Sequence, residues 1–166
     1  MTISHAQMVG ELVKPGEAIL AGMDQNKFSA LVTAGSIVVV AGKNLDTIKK
    51  HVMYNKPGLA EDFPKVVMPA ELSAGSCNQM HMAVGVAGES AELLDAILTS
   101  FTNSTPLDLE NVIEELGDIE FYMSGLRQQL QISRDEVLQA NINKLSVRYE
   151  GLKYSDDAAK TRADKA

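Results

Sequence analysis

Apolar residues in the second half of the chain recur with a helical period. From about Met80 to Leu98, Met82, Val86, Leu93 and Ile97 fall on one side of a helix. Val112, Leu116, Ile119, Met123 and Leu126 mark a second helix that runs to about Leu130. Its start is predicted at Thr105-Pro106-Leu107-Asp108, with threonine as cap, proline in the first helical position and the aspartate three residues on. Ser133-Arg134-Asp135-Glu136 is a further capping-box pattern, and it opens a helix expected to end near Gly151. The polar residues from Ser155 on read as a tail that is mobile or draped on the surface.

The first 75 residues are less regular. A Pro-Gly break interrupts Val13–Gly16. Residues 24–31 and 44–54 read as short helices, and 36–41 as a strand or a buried helical turn, since short apolar runs do not separate the two. Pro57, Gly58, Pro64 and Pro69 punctuate 55–75, which reads as loop. One weak echo exists: Leu45-Asp46-x-Ile48 reaches Pro57 over the interval by which Leu94-Asp95-x-Ile97 reaches Pro106.

With 166 residues the chain has room for one good core. Its net charge of −7 argues against a general nucleic-acid binder, which needs a basic footprint. Cys77 is the only cysteine, which excludes an intrachain disulfide and suits a reducing cytoplasm; a packed or bystander thiol is its expected role. The most apolar stretch, residues 37–41, is far short of a membrane span, so no membrane partner is expected.

Two pairs of carboxylates change the picture. Glu89 and Glu92 stand three apart, as do Glu115 and Asp118, so each pair shares a helix face. On a helical wheel Glu115 falls inside the apolar arc formed with Tyr122 and Leu126, and Asp118 lies at its edge. Glu114 and Glu120 point elsewhere. Glu89 abuts Met82 and Leu93, with Glu92 one step outward. A carboxylate aimed at a core must be paired or bound to metal. No basic residue stands three or four places from Glu89 or Glu115. Metal binding by all four is therefore expected, against the alternative of a bundle seam salt-bridged by lysine or arginine from elsewhere. Neither pair has a histidine three residues on, as di-iron bundles require, and carboxylates without imidazole or thiolate favour Mg²⁺ or Mn²⁺. His81, eight residues before Glu89, reads as a capping or packing residue.

On the last helix Asn141, Lys144 and Arg148 share a face among Val137, Leu138 and Leu145. They suit phosphate oxygens or a sugar hydroxyl, or else direct pairing with the carboxylates.

Gly88-Glu89-x-x-Glu92-Leu93 followed by Glu115-x-x-Asp118 resembles the all-α nucleoside triphosphate pyrophosphohydrolases of the MazG type, phage-type members included. Asn141-Ile142-x-Lys144-Leu145-x-x-Arg148-Tyr149 resembles that family's following helix. The resemblance implies an all-α, MazG-like helical bundle core over 80–150. A mainly helical extension of the same domain would cover 1–79, and a polar tail 151–166. It also implies an enzyme that hydrolyses an NTP or dNTP to the monophosphate and pyrophosphate. Glu89, Glu92, Glu115 and Asp118 would be the catalytic metal ligands for Mg²⁺ or Mn²⁺, and Asn141, Lys144, Arg148 and Tyr149 the substrate-binding set. A homodimer or homotetramer is expected, because so short a bundle buries its apolar seams better in a pair.

Gly88 stands where many members carry one more glutamate. The loop between the two acidic helices, residues 97–106, lacks the lysines and tyrosine that some similar members have there. A close counterpart stands upstream as Ile48-Lys49-Lys50-His51-Val52-Met53-Tyr54-Asn55-Lys56-Pro57. That segment is either a solvated basic face or a cover over the site of its own or a partner subunit. The rival functional reading is a non-catalytic bundle that binds a nucleotide or a protein partner.

Overall fold

A computed structural model describes residues 3–59, 66–67 and 70–165, and these are helical throughout their regular parts, with no strand among them. The all-α expectation is met. Contacts gather Asn26–Gln131 into one unit, and the residues up to Gln25 into a second with those from Ile132 on.

The first unit consists of three long helices, α3 (Gln25–Met53), α4 (Ala74–Asn103) and α5 (Leu109–Leu130). α3 overturns the expectation of short pieces. The segments at 24–31, 36–41 and 44–54 are one continuous helix. The β-branched run Ile37-Val38-Val39-Val40 and the glycines at 35 and 42 lower intrinsic helix propensity, and packing against α4 overrides it. Gly42 faces Ala91, and Gly35 faces Leu98, so the two helices run antiparallel at close approach. Mid-helix hydroxyls are satisfied within the helix, Ser36 donating to Val32 O and Thr47 to Lys43 O. By length and composition alone α3 would span a membrane, contrary to the reading from its shorter apolar core. Its second half, however, carries Lys43, Asp46 and Lys49, all ion-paired within this unit.

α4 begins at Ala74, earlier than expected, with Ser73 as its cap. The loop expected over 55–75 lies in part outside the described residues. Asp108 caps α5 by accepting from Asn111 N; Thr105 does not. The reason is that Thr105 closes the preceding helix, donating its N–H to Ser100 O while its carbonyl accepts from Ser100 Oγ. The echo noted above has a geometric counterpart. Asn55 and Ser104, each two residues before the echoed proline, both take positive φ just past their helix.

The second unit gathers α1 (His5–Leu12), α2 (Gly16–Ala21), α6 (Arg134–Arg148) and α7 (Asp156–Thr161), with helical turns at Glu150–Leu152 and Ala163–Lys165. Val13, Lys14 and Pro15 separate α1 from α2, and Gly16 opens α2, where the sequence predicts a break. Both halves of the Ser133/Glu136 capping box form, but α6 stops at Arg148, and Gly151 takes its positive φ inside the following turn. Met8, Leu12 and Tyr149 make the core, with Ile142, Leu145 and Ala158 packed against it. The tail is thus folded rather than loose. Lys14 pairs with Asp156 at 2.8 Å, and Arg148 donates to both oxygens of Asp164, Nη2 at 2.8 Å from Oδ2.

The Arg148 guanidinium holds the Asp164 carboxyl at about 2. A depressed carboxyl stabilises the fold above the ordinary carboxylate range and ceases to do so as pH falls through its folded value. Acidification from pH 4 toward pH 2 should therefore lower the amide protection factors over residues 156–165, taken against the intrinsic exchange rate at each pH. Asp164→Asn should produce the same loss of protection already at neutral pH, and unchanged protection in that variant would show that the pair does not hold the tail.

Candidate metal centre

The antiparallel pairing of α4 and α5 sets Glu92 against Glu115. It is possible because Gly85 leaves room for the Tyr122 ring, where a Cβ would overlap it. One carboxylate oxygen from each of Glu89, Glu92 and Glu115 lies within 4.8 Å of the others. Glu89 and Glu115 are buried at 8% and 6% exposure, which is unusual for carboxylates and marks the cluster as more than a solvated face. Asp118, one turn beyond Glu115, is exposed and lies outside this triplet.

The charges in the cluster oppose one another. Burial, followed by the negative charges of Glu92, Glu89 and Asp118, pushes the Glu115 carboxyl up to about 7. Burial and then Glu89 and Asp46 raise that of Glu92. Among the described residues neither Glu92 nor Glu115 has an ion-pair partner.

Glu89 does have one. Lys49, on α3, places Nζ 3.0 Å from Glu89 Oε1, 2.9 Å from Asp46 Oδ1 and 3.3 Å from the Tyr122 hydroxyl. Burial disfavours the ammonium, but its bonds to Asp46 and Glu89 outweigh that and hold it well above the usual lysine range. Lys50 takes the other oxygen of Asp46 at 2.5 Å. Desolvation works against the Asp46 carboxylate, and Lys50 and Lys49 together keep its pKa low. The salt-bridged seam weighed against metal is thus realised at Glu89 alone. Part of the upstream basic segment does reach the acids of its own chain: Lys49 is buried against them, while Lys50 stays half exposed. Tyr54 from that segment contacts His81 at 3.1 Å, with the rings edge-on. His81 is therefore a packing residue within α4, not a cap.

A cleft of about 340 Å³ opens beside Glu92 and Glu115, lined also by Asp95, Ser100, Asn111 and Lys43. Lys43 is tied to Asp95 at 2.6 Å. An oxygen-only donor set, short of compensating cations and bordered by a polar cleft, fits a hard divalent cation such as Mg²⁺ or Mn²⁺.

The residues expected to bind substrate belong to the other unit, and three of the four have partners there. Asn141 Oδ1 lies 3.2 Å from His5 Nε2, Arg148 is held by Asp164, and Tyr149 is in the core. Lys144 is exposed. Sequence reasoning did not assign Asp46 to the site. The available signal was the pair of lysines three and four residues after it, a spacing that puts acid and bases on one helical face.

Residues 78–152 match the MazG nucleotide pyrophosphohydrolase domain. That segment includes all four acids of the two pairs and α6, and it leaves α3 outside. No curated protein and no solved structure matches the chain.

Proposed function

We propose, for a chain whose residues 78–152 form a MazG-type nucleotide pyrophosphohydrolase domain, that the reaction is metal-dependent hydrolysis of an NTP or dNTP to the monophosphate and pyrophosphate. The observation that carries this reading is the convergence of Glu89, Glu92 and Glu115 without cations enough to neutralise them. Those three and Asp118 would hold the metal, Mg²⁺ first and Mn²⁺ as substitute. A bound Mg²⁺ would polarise the triphosphate and lower the pKa of a coordinated water. Glu92 and Glu115 border the cleft and would orient the bound group toward a ligand in it. The resemblance implies Asn141, Lys144, Arg148 and Tyr149 as the substrate-binding set; of these Lys144 is exposed, and Arg148 would have to leave Asp164 to take part.

A homodimer or homotetramer belongs to the same reading. Ile113 and Phe121 on α5 are 70% and 66% exposed, and Ile37 and Val40 on α3 are 66% and 61% exposed, more apolar surface than isolated side chains need. Sedimentation at micromolar concentration should give a multiple of the 17.9 kDa chain, and a single-chain mass would remove this part of the proposal.

The deciding assay is pyrophosphate release across the common NTPs and dNTPs, with Mg²⁺ and with EDTA. Nucleotide binding without release would favour a non-catalytic bundle. Saturating metal should also raise the melting temperature. At about a hundred times its dissociation constant, a ligand stabilises by about 2.7 kcal/mol, which corresponds to roughly 5–10 °C for a chain of this size. A melting curve indifferent to Mg²⁺, Mn²⁺ and EDTA would exclude the metal centre.

A further inference from the structure

Helix α3 is no part of the matched domain, yet it sets a cation inside the acid cluster. The Lys49 side chain is 3% exposed, among the least accessible charged groups described, and its Nζ touches Glu89, Asp46 and Tyr122 together. An ammonium is strongly hydrated and gives up water only where other groups replace it. Here two carboxylates and a phenol do so, and Nζ also lies 5.0 Å from the centre of the Tyr122 ring. Glu89 is thereby oriented by a fixed positive charge, and Asp46 is itself anchored by Lys50.

Resting on the metal-binding reading of the cluster, we infer that Lys49 is a positioning residue that serves as the site's resident counter-cation. It keeps Glu89 in place before metal arrives, and it opposes a lone divalent ion until a polyphosphate brings compensating negative charge. Metal and nucleotide then load together.

Two effects of Lys49 on metal affinity have opposite signs. Holding Glu89 in one rotamer favours binding by about thirtyfold at most, the full rotamer entropy of one glutamate side chain. The repulsion between one positive charge and a divalent ion held by the neighbouring Glu89, in a medium between protein and water, is worth on the order of a hundredfold. Repulsion wins, so neutralising Lys49 should tighten the binding of metal alone.

The experiment is calorimetric titration of Mn²⁺ into the wild-type protein and into Lys49→Met, Lys49→Gln and Lys49→Arg. It is run with and without an α,β-imido nucleoside triphosphate that cannot be cleaved. Mn²⁺ alone should bind at least about threefold more tightly to the Met and Gln variants, and the nucleotide analogue should abolish that advantage. Lys49→Arg should behave as wild type. Unchanged or weaker Mn²⁺ binding in folded Met and Gln variants overturns the inference, and so does an Arg variant that tightens equally. Should the neutral variants unfold without metal, a cooperative melt restored by Mn²⁺ supports the inference, and failure to restore it assigns Lys49 to the scaffold. A wild-type protein that binds no Mn²⁺ overturns the metal reading itself.

Discussion

Glu115→Gln should lower pyrophosphate release by about a thousandfold or more while leaving the helices intact. The substitution keeps shape and removes one charge from the least compensated acid of the cluster. Loss of a ligand charge from a metal centre costs several kcal/mol of transition-state stabilisation, and about 4 kcal/mol corresponds to three powers of ten in rate. Glu114→Gln, one residue away and exposed, should be nearly silent. Equal losses in both would remove the distinction on which the site rests. The same variant has a signature without metal. Because burial and like charges raise the Glu115 carboxyl to about 7, its ionisation is harder in the folded than in the unfolded chain. The cost is absent below the unfolded value and grows as pH rises toward the folded one, to at most about 3 kcal/mol. In EDTA the wild-type melting temperature should therefore fall between pH 4.5 and pH 7. Glu115→Gln should flatten that slope, and a parallel decline in both proteins would show that other groups cause it.

Gly42→Leu should have the largest effect on stability. A Cβ at this position would overlap that of Ala91, so a branched side chain has to push α3 off α4. Overpacking of this kind costs roughly 1–3 kcal/mol, occasionally more, and a chain of this size loses roughly 2–4 °C for each kcal/mol. A drop of about 5–10 °C is expected. It should come with an altered Mn²⁺ affinity, because α3 carries Lys49 to Glu89. Gly10→Ala is the counter-example: the added methyl meets nothing, and the variant should gain about 0.5–1 kcal/mol from reduced backbone entropy. A Gly42→Leu protein that melts with the wild type would show that α3 does not pack on α4 as described.

Much of this was legible in the order of residues. The period that placed Met82, Val86, Leu93 and Ile97 on one side of a helix belongs to the helix itself, and so does the three-residue spacing that put Glu89 with Glu92. The Ser133/Glu136 box and the Pro15-Gly16 break hold for the same reason, since their partners are a few bonds away. All these interactions close within one turn, so the local chain specifies them.

What the sequence left open depends on residues far apart along the chain. Three weak segments became one α3 because packing against Ala91 and Leu98 outweighs the propensity of a β-branched run. Lys49 meets Glu89 across forty positions, Arg148 meets Asp164 of the supposed tail, and the tail folds around that pair. The high proton affinity of Glu115 likewise exists only once three helices exclude water from it and bring other acids near. The sequence by itself determined the helices and the faces on which the acids stand. Tertiary structure alone decided which charges meet, because burial and Coulomb energy depend on distance in space and not on separation along the chain.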